Sequence, residues 1–121
     1  MAKDENVEVI FGNWIKSNAD GWSVSGNIPE GKRPDKFIIF DRTGGDRSGM
    51  VLDRAEMLAE VYHKESRLEA SQMANKLADN AQQMLSNGDI THVDVNSLVH
   101  LDDPKNGYYR YQLYINVYHR R

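Results

Sequence analysis

The sequence predicts an α+β fold in which a four- to five-stranded, mostly antiparallel sheet carries two helices on one face. Two segments show helical spacing of apolar residues, and four others show the two-residue alternation of strands. The length of 121 residues suits a single domain spanning residues 1–121, and no repeat or low-complexity tract marks a linker. A hydrophobic fraction of 40% with 27% charged residues is typical of a globular chain.

Composition excludes several classes of protein. No apolar run approaches the roughly 20 residues of a membrane helix, and the polar start of the chain lacks the order of a secretory signal. The absence of cysteine excludes disulfides and thiolate metal sites, which fits a reducing cytoplasm. A net charge of −3 argues against a dedicated nucleic-acid binder, although a local basic patch stays open.

The first predicted helix covers residues 4–17 and ends within residues 18–21. Its apolar residues recur at three- and four-residue steps and form one stripe, Val7, Ile10, Phe11, Trp14 and Ile15. A short strand is expected over residues 22–26, where apolar and polar residues alternate. A turn-rich stretch, residues 28–34, follows it.

Two strands are predicted next. Residues 37–41 form a β-branched and aromatic run that predicts a strand buried on both faces. Residues 42–54 are expected to form a polar loop. Residues 56–63 alternate and predict a second strand, although residues 55–58 would also suit a helix.

The second helix begins at a capping box formed by Ser66 and Glu69. Its apolar stripe predicts about five turns, which a left-handed stop at Asn87 and Gly88 would end. The stripe comprises Ala70, Met73, Ala74, Leu77, Ala81, Met84 and Leu85.

The last two strands, residues 90–101 and 108–119, are predicted to form a hairpin across the turn at residues 102–107. The core row of the final strand contains Tyr109, Tyr111, Leu113, Ile115 and Val117. Because a β-α-β crossover is right-handed, the last strand can insert between the second and third. The four long strands should therefore lie in the order first, second, fourth, third.

No constellation of residues predicts catalysis or a cofactor. The glycine-rich segment at residues 42–49 lacks the Gly-Lys-Ser/Thr ending of a phosphate loop. His92 and Asp94 share a strand face, and His100 and Asp102 could also do so, but no third metal ligand is indicated. We interpret them as solvent-facing strand residues. His63 and His119 are expected to be exposed at strand ends.

The tyrosine-rich last strand suggests two alternatives. Tyrosine rings can stack on the bases of single-stranded nucleic acid, whereas Tyr and Arg are also enriched in protein interfaces. Arg110, Tyr114 and Tyr118 lie on the face opposite the core row. We favour contact with another subunit for this face.

Several segments in order resemble the tail terminator, or tail completion, proteins of long-tailed bacteriophages (siphophages). They are Ile-Pro-Glu at residues 28–30, Pro-Asp-Lys-Phe-Ile-Ile-Phe-Asp-Arg-Thr-Gly-Gly at residues 34–45, Val-Leu-Asp-Arg-Ala at residues 51–55, and the closing strand at residues 109–117. The resemblance spans nearly the whole chain. It implies a structural, non-enzymatic virion protein of the phage neck, assembled in the host bacterial cytoplasm.

The resemblance also implies partners. They are further copies of the chain in a ring, usually a hexamer, the tail tube protein below it, and a head-tail connector or stopper protein above it. Genomic DNA would only pass through the lumen, and no membrane is involved. A head completion or stopper protein and a small RNA-binding module are the alternatives. Candidate contact residues are Arg42, Thr43, Gly44, Gly45, Asp46, Arg47, Arg54, Asp102, Asp103, Arg110, Tyr114 and Tyr118.

Overall fold

The structure, a computed structural model, describes residues 3–27, 31, 33–47, 52–103 and 107–120. Its elements in chain order are α1 (Lys3–Asn18), β1 (Ser23–Ser25), β2 (Lys36–Arg47), β3 (Leu52–His63), α2 (Arg67–Asp79), a 3-10 helix (Ala81–Ser86), β4 (Ile90–His100) and β5 (Tyr109–Arg120). The five strands form one sheet in the order β1-β2-β3-β5-β4. Only β1 and β2 pair in parallel. The predicted α+β class and the order of the four long strands are confirmed.

One face of the sheet, here called the helix face, carries α1, α2 and the 3-10 helix. The inward residues of β3 alternate as predicted, so that Met57, Ala59 and Val61 are buried. The stripe of α1 packs on them, and four of its five predicted members are buried. The opposite face, here called the open face, has a small aromatic cluster in which Phe37 stacks on Tyr62 at 4.5 Å between ring centroids.

The predicted loop over residues 42–54 is wrong in its described part. Residues 42–47 continue β2, and residues 52–54 begin β3, because the two strands pair without interruption from Lys36↔His63 to Arg47↔Asp53 except for a bulge at Thr43. The polar residues of this segment are compatible with a strand that has one face and its outer edge exposed to solvent. The same extension corrects the view of β2 as buried on both faces, since Asp41 is already exposed. Residues 28–30, 48–51 and 104–106, where parts of the predicted turns fall, lie outside the described residues.

The predicted five-turn second helix is also wrong, because the α-helix ends at Asp79. The backbone carbonyl of Asn80 accepts a hydrogen bond from Trp14 Nε1 at 3.1 Å, and its side-chain amide donates to Asn18 Oδ1 at 3.0 Å. These contacts from α1 hold Asn80 outside helical geometry, and the chain continues as a 3-10 helix. The left-handed stop at Asn87 and Gly88 is absent, since neither residue has a positive φ.

Two histidines predicted to be exposed are buried. His63 is 6% exposed and His119 is 1% exposed, because both fall on the helix face of their strands. His63 Nδ1 accepts hydrogen bonds from the backbone N–H groups of Glu65 and Ser66 at 3.1 and 3.0 Å, and Nε2 lies 2.8 Å from the Glu69 carboxylate.

The capping box of α2 is therefore confirmed in only one of its two arms. The hydroxyl of Ser66 accepts from the backbone N–H of Glu69 at 3.0 Å, as predicted. Glu69 does not reach back to the Ser66 amide, because the imidazole of His63 occupies that position. The end of β3 thus caps the helix that follows it.

We expect His63→Ala to lower the free energy of unfolding by about 1–3 kcal/mol, because two amides at the start of α2 lose their acceptor in a buried place. Urea denaturation measures the change. His92→Ala is the matched control, since the His92 side chain is 60% exposed and its loss should change stability little. Equal stability of the two variants would contradict the proposed cap.

Candidate interaction surfaces

The predicted contact residues lie mainly at the two opposite ends of the sheet. The β2–β3 hairpin brings residues 42–47 together with Arg54 at one end, and the turn between β4 and β5 places Asp102 and Asp103 at the other. β3 runs the whole way between the ends with 12 residues, which corresponds to about 40 Å. The role of these residues in contacts with other chains is a prediction.

The β2–β3 end depends on its glycines. Thr43 is the extra residue of the bulge, and Gly44 then pairs with Glu56 while Gly45 pairs with Ala55. Gly45 has φ +150°, and a Cβ atom there would overlap the carbonyl oxygen of Arg54. The glycines therefore allow close pairing, in contrast to the flexible loop expected for this segment.

Arg42 and Arg54 are both engaged within the hairpin and its neighbour. Arg42 Nε donates to the carbonyl oxygen of Gly44 at 3.3 Å. Arg54 lies on the open face, where its guanidinium donates to Glu56 Oε1 at 2.8 Å and to Asn116 Oδ1 at 3.1 Å. Two strands, β3 and β5, are thus joined through one arginine.

Backbone pairing brings three of the predicted residues into one row at this end. Asp46 pairs with Arg54 on β3, and Arg54 pairs with Tyr118 on β5. The row ends at His92 of β4, whose ring lies 5.4 Å from that of Tyr118. Arg47 follows this row and pairs through its backbone with Asp53.

Arg110 lies near the β4–β5 turn, at the other end of the sheet, and its side chain contacts residues of its own chain. Its Nε donates to the carbonyl oxygen of Leu101 at 2.8 Å, and a terminal nitrogen lies 3.4 Å from the Tyr62 hydroxyl and 3.7 Å from Glu60 Oε2. The carboxylate of Glu60 also accepts from Gln112 at 3.0 Å. Arg110 therefore ties β3 to β5 and is not a side chain held out for a partner.

Tyr62 is the titrating group that this cluster perturbs. Burial raises the pKa of the Tyr62 phenol, and the negative charge of Glu60 raises it further, while the hydrogen bond from Arg110 lowers it in part. The net pKa lies above the ordinary value of 10.0. The phenol is thus held neutral in the folded state.

Asp102 and Asp103 flank the β4–β5 turn and are also in contact with the chain. Asp102 Oδ1 lies 2.6 Å from His100 Nε2 and 3.4 Å from the backbone nitrogen of Arg110. Asp103 Oδ2 lies 3.9 Å from a guanidinium nitrogen of Arg33. The turn is therefore held against the segment that leads into β2.

The remaining tyrosines do not form a continuous stacking row. Tyr114 lies in the middle of the open face between Leu58 and Ser97, with Tyr118 four residues further along β5. Tyr111 is on the helix face, where it stacks on His100 at 4.7 Å. The half-buried tyrosines are thus divided between the two faces.

The two histidine-aspartate pairs lie on opposite faces of the sheet. His92 Nε2 is 2.9 Å from Asp94 Oδ1 on the open face, and both side chains are exposed. A bulge between Val95 and Ser97 reverses the alternation of β4, so that His100 pairs with Tyr111 on the helix face. Among residues 3–27, 31, 33–47, 52–103 and 107–120, no three metal-ligating side chains come together.

Sequence reasoning missed a groove between α1 and the outer edge of β2. Its volume is about 340 Å³, and Val9, Gly12 and Phe40 form its apolar part. Gly12 lets the helix approach the strand, because a Cβ atom there would lie 2.7 Å from the Phe40 ring. A glycine inside the predicted first helix was the available signal for such a close approach.

Comparison with known proteins supports the fold. No protein-family model matches the sequence, and no curated protein matches it either. The fold is similar to that of a chain in the solved structure of the virion of a native gene transfer agent (GTA) particle, with a TM-score of 0.58 and 8% sequence identity. The match covers 88% of this chain and 84% of that chain. Within the described residues, no helix has the length and apolar character that crossing a membrane requires.

We expect Gly45→Ala to lower the free energy of unfolding by about 1–3 kcal/mol, because the methyl group would collide with the Arg54 carbonyl at a backbone conformation that L residues rarely adopt. Gly88→Ala is the control, since a Cβ atom there meets nothing within 4 Å. Thermal unfolding followed by circular dichroism distinguishes them. A Gly45→Ala variant as stable as Gly88→Ala would show that residues 42–47 are not held in the hairpin.

Tyr62→Phe should reduce the loss of stability at alkaline pH. As pH rises above 10.0, Tyr62 loses its phenolic proton in the unfolded chain before it does so in the folded protein. The free energy of unfolding of the wild type therefore falls with pH until the raised pKa of Tyr62 in the folded protein is passed. Urea denaturation at pH 9 to 11.5 measures this slope, and Tyr114→Phe is a control that retains Tyr62. A wild-type slope in the Tyr62→Phe variant would show that another group causes the decline.

Proposed function

We propose that the protein is a tail terminator, a structural virion protein that forms a ring at the head-proximal end of a phage tail tube. The ring stops polymerisation of the tube and presents a surface to the head-tail connector. The protein performs no catalytic step in this role. The observation that carries the proposal is the fold shared with a chain of the gene transfer agent virion over 88% of this chain. The ordered sequence segments that resemble tail terminators add to it.

The placement of the two hairpin ends supports contacts along the axis of such a ring. A ring between a tail tube and a head connector must present two different surfaces, one to each neighbour. The β2–β3 hairpin and the β4–β5 turn lie at opposite ends of β3, about 40 Å apart. One protomer can therefore reach both neighbouring rings, which are the tail tube protein and the connector or stopper protein.

The charge of the open face disfavours the alternative of an RNA-binding module. Binding to phosphates requires cations that are available to release counterions. Of the three arginines described on this face, Arg54 and Arg110 face the carboxylates of Glu56 and Glu60, and Arg120 is exposed at the end of β5. Asp41 and Asp94 add further negative charge to the same face. We therefore favour a protein partner for the open face.

Particles produced without the protein test the terminator role directly. We expect full heads without tails, and unjoined tails of uneven and excessive length, in negative-stain electron microscopy. A stopper protein would instead leave tails of normal length and heads that lose their DNA. Normal tails joined to heads would contradict any role in the neck.

The double variant Arg42→Ala with Arg47→Ala tests whether the β2–β3 hairpin contacts a neighbouring ring. We expect a folded protein, because surface charges contribute little to stability, but at least tenfold fewer joined particles in complementation. The matched control replaces two exposed cations of α2, Arg67 and Lys76, by alanine. Equal particle yields from the two double variants would remove the hairpin from the interface.

A further inference from the structure

A pocket on the open face lies where β1 ends beside β2. The pairing of these two strands stops at Ile39, and the chain leaves the sheet at Gly26. The pocket beside this point, here called the acidic pocket, has a volume of about 260 Å³, and its lining includes Asp41 of β2 and Glu60 of β3. Because most sites for small-molecule ligands have roughly 300–1,000 Å³, this volume suits a single long side chain of another protein.

The four side chains at the base of the acidic pocket alternate in chemical type. Ile39 pairs with Glu60, and Asp41 pairs with Leu58. All four lie on the open face, because they occupy alternate positions of two paired strands. The two carboxylates therefore lie on one diagonal of the ladder, and such diagonal neighbours are about 7–8 Å apart. The two apolar side chains lie on the other diagonal, so an apolar base separates the carboxylates.

Both carboxylates have oxygen atoms available to a ligand. Asp41 is exposed and makes no hydrogen bond or ion pair with the part of the chain that the structure describes. Glu60 contacts Gln112 and Tyr62 through Oε2, and Arg110 lies 3.7 Å from the same atom. Glu60 Oε1 is not buried and has no partner among the described residues. No cation is found among the described residues that line the pocket.

We propose that the acidic pocket binds an arginine side chain of a partner protein. The methylene groups of the arginine pack on Ile39 and Leu58, which are both half-buried. Its guanidinium group lies between Asp41 and Glu60 and donates to both. A guanidinium group has five N–H donors in a planar fork, so it can contact two separate carboxylates at once. The inference concerns one side chain of a partner and does not rest on the terminator role.

Three other ligands fit the acidic pocket less well. A lysine ammonium group is a compact point charge, so it would contact one carboxylate and leave the other without a cation. Calcium requires six to eight oxygen ligands, and no three metal-ligating side chains come together in the described part of the chain. Nucleic acid would place its phosphates beside two carboxylates, where like charges repel. The charge of the pocket and the spacing of its carboxylates therefore favour a guanidinium group.

Nuclear magnetic resonance of the intact protein tests the proposal with N-acetylarginine N-methylamide as the probe. N-acetylcitrulline N-methylamide is the matched control, because citrulline has nearly the same shape as arginine without its charge. We expect the arginine probe at millimolar concentration to shift the backbone amide signals of Ile39, Asp41 and Leu58 to saturation. The citrulline probe should give no saturable shift.

Two variants identify the carboxylate that binds. Asp41→Asn should weaken binding of the arginine probe by about fivefold, because one charge-assisted contact is lost. Asp94→Asn is the control, since it removes an exposed carboxylate of the open face that lies outside the pocket, and it should leave the affinity unchanged. The comparison of the two probes on the wild type does not depend on the folding of either variant.

Several outcomes would overturn the proposal. They are the absence of a saturable shift with the arginine probe, equal shifts with the citrulline probe, and an equal loss of affinity in Asp41→Asn and Asp94→Asn. Equal affinity for the corresponding lysine probe would also overturn it, because any cation would then bind. None of these results bears on the terminator role, which particles lacking the protein test separately.

Discussion

The antiparallel pairing of β3 with β5 is the constraint on which the rest of the structure depends. Twelve residues of each strand pair from Leu52↔Arg120 to His63↔Tyr109 without a bulge. This uninterrupted ladder holds two-residue alternation along its whole length. Every other element is attached to it. β2 and β4 pair with its two sides, and the helices cover the apolar row that it presents.

Because the register of this ladder does not shift, alternate residues stay on the same face along its whole length. The two faces of the sheet therefore differ in the residues they carry. The helix face has an apolar core, including Met57, Leu113 and Ile115. The open face instead has hydrogen-bonded charge pairs, such as Arg54 with Glu56 and Arg110 with Glu60. Half-buried charges of this kind are satisfied by their own chain, and removing one partner leaves the other without compensation. They stabilise the sheet by joining its central strands.

The two strands that flank the central ladder, β2 and β4, differ from it because both contain bulges. The bulge at Thr43 lets β2 continue past Arg42, and the bulge beside Ser97 moves His100 onto the helix face. Edge strands with bulges resist uncontrolled pairing with other chains. The proposed ring would require such control, since an open edge would also accept incorrect partners.

Local pattern in the sequence determined the class of fold, the stripe of α1, the start of α2 at Ser66, the hairpin of β4 with β5 and the order of the four long strands. The elements follow from periods of 3.6 and 2.0 residues and from capping chemistry, which act between near neighbours. The order of the strands follows from the right-handed β-α-β crossover. Only the tertiary structure decided the end of α2 at Asp79, the burial of His63 and His119, and the strand character of residues 42–47. The end of α2 depends on Trp14, which donates to the Asn80 carbonyl, and the strand character of residues 42–47 depends on the ladder with β3. The two histidines are buried because the helices cover the face of β3 and β5 on which they lie. The groove at Val9 and Phe40 likewise forms only when helix and strand meet, because no local pattern relates residues 31 positions apart.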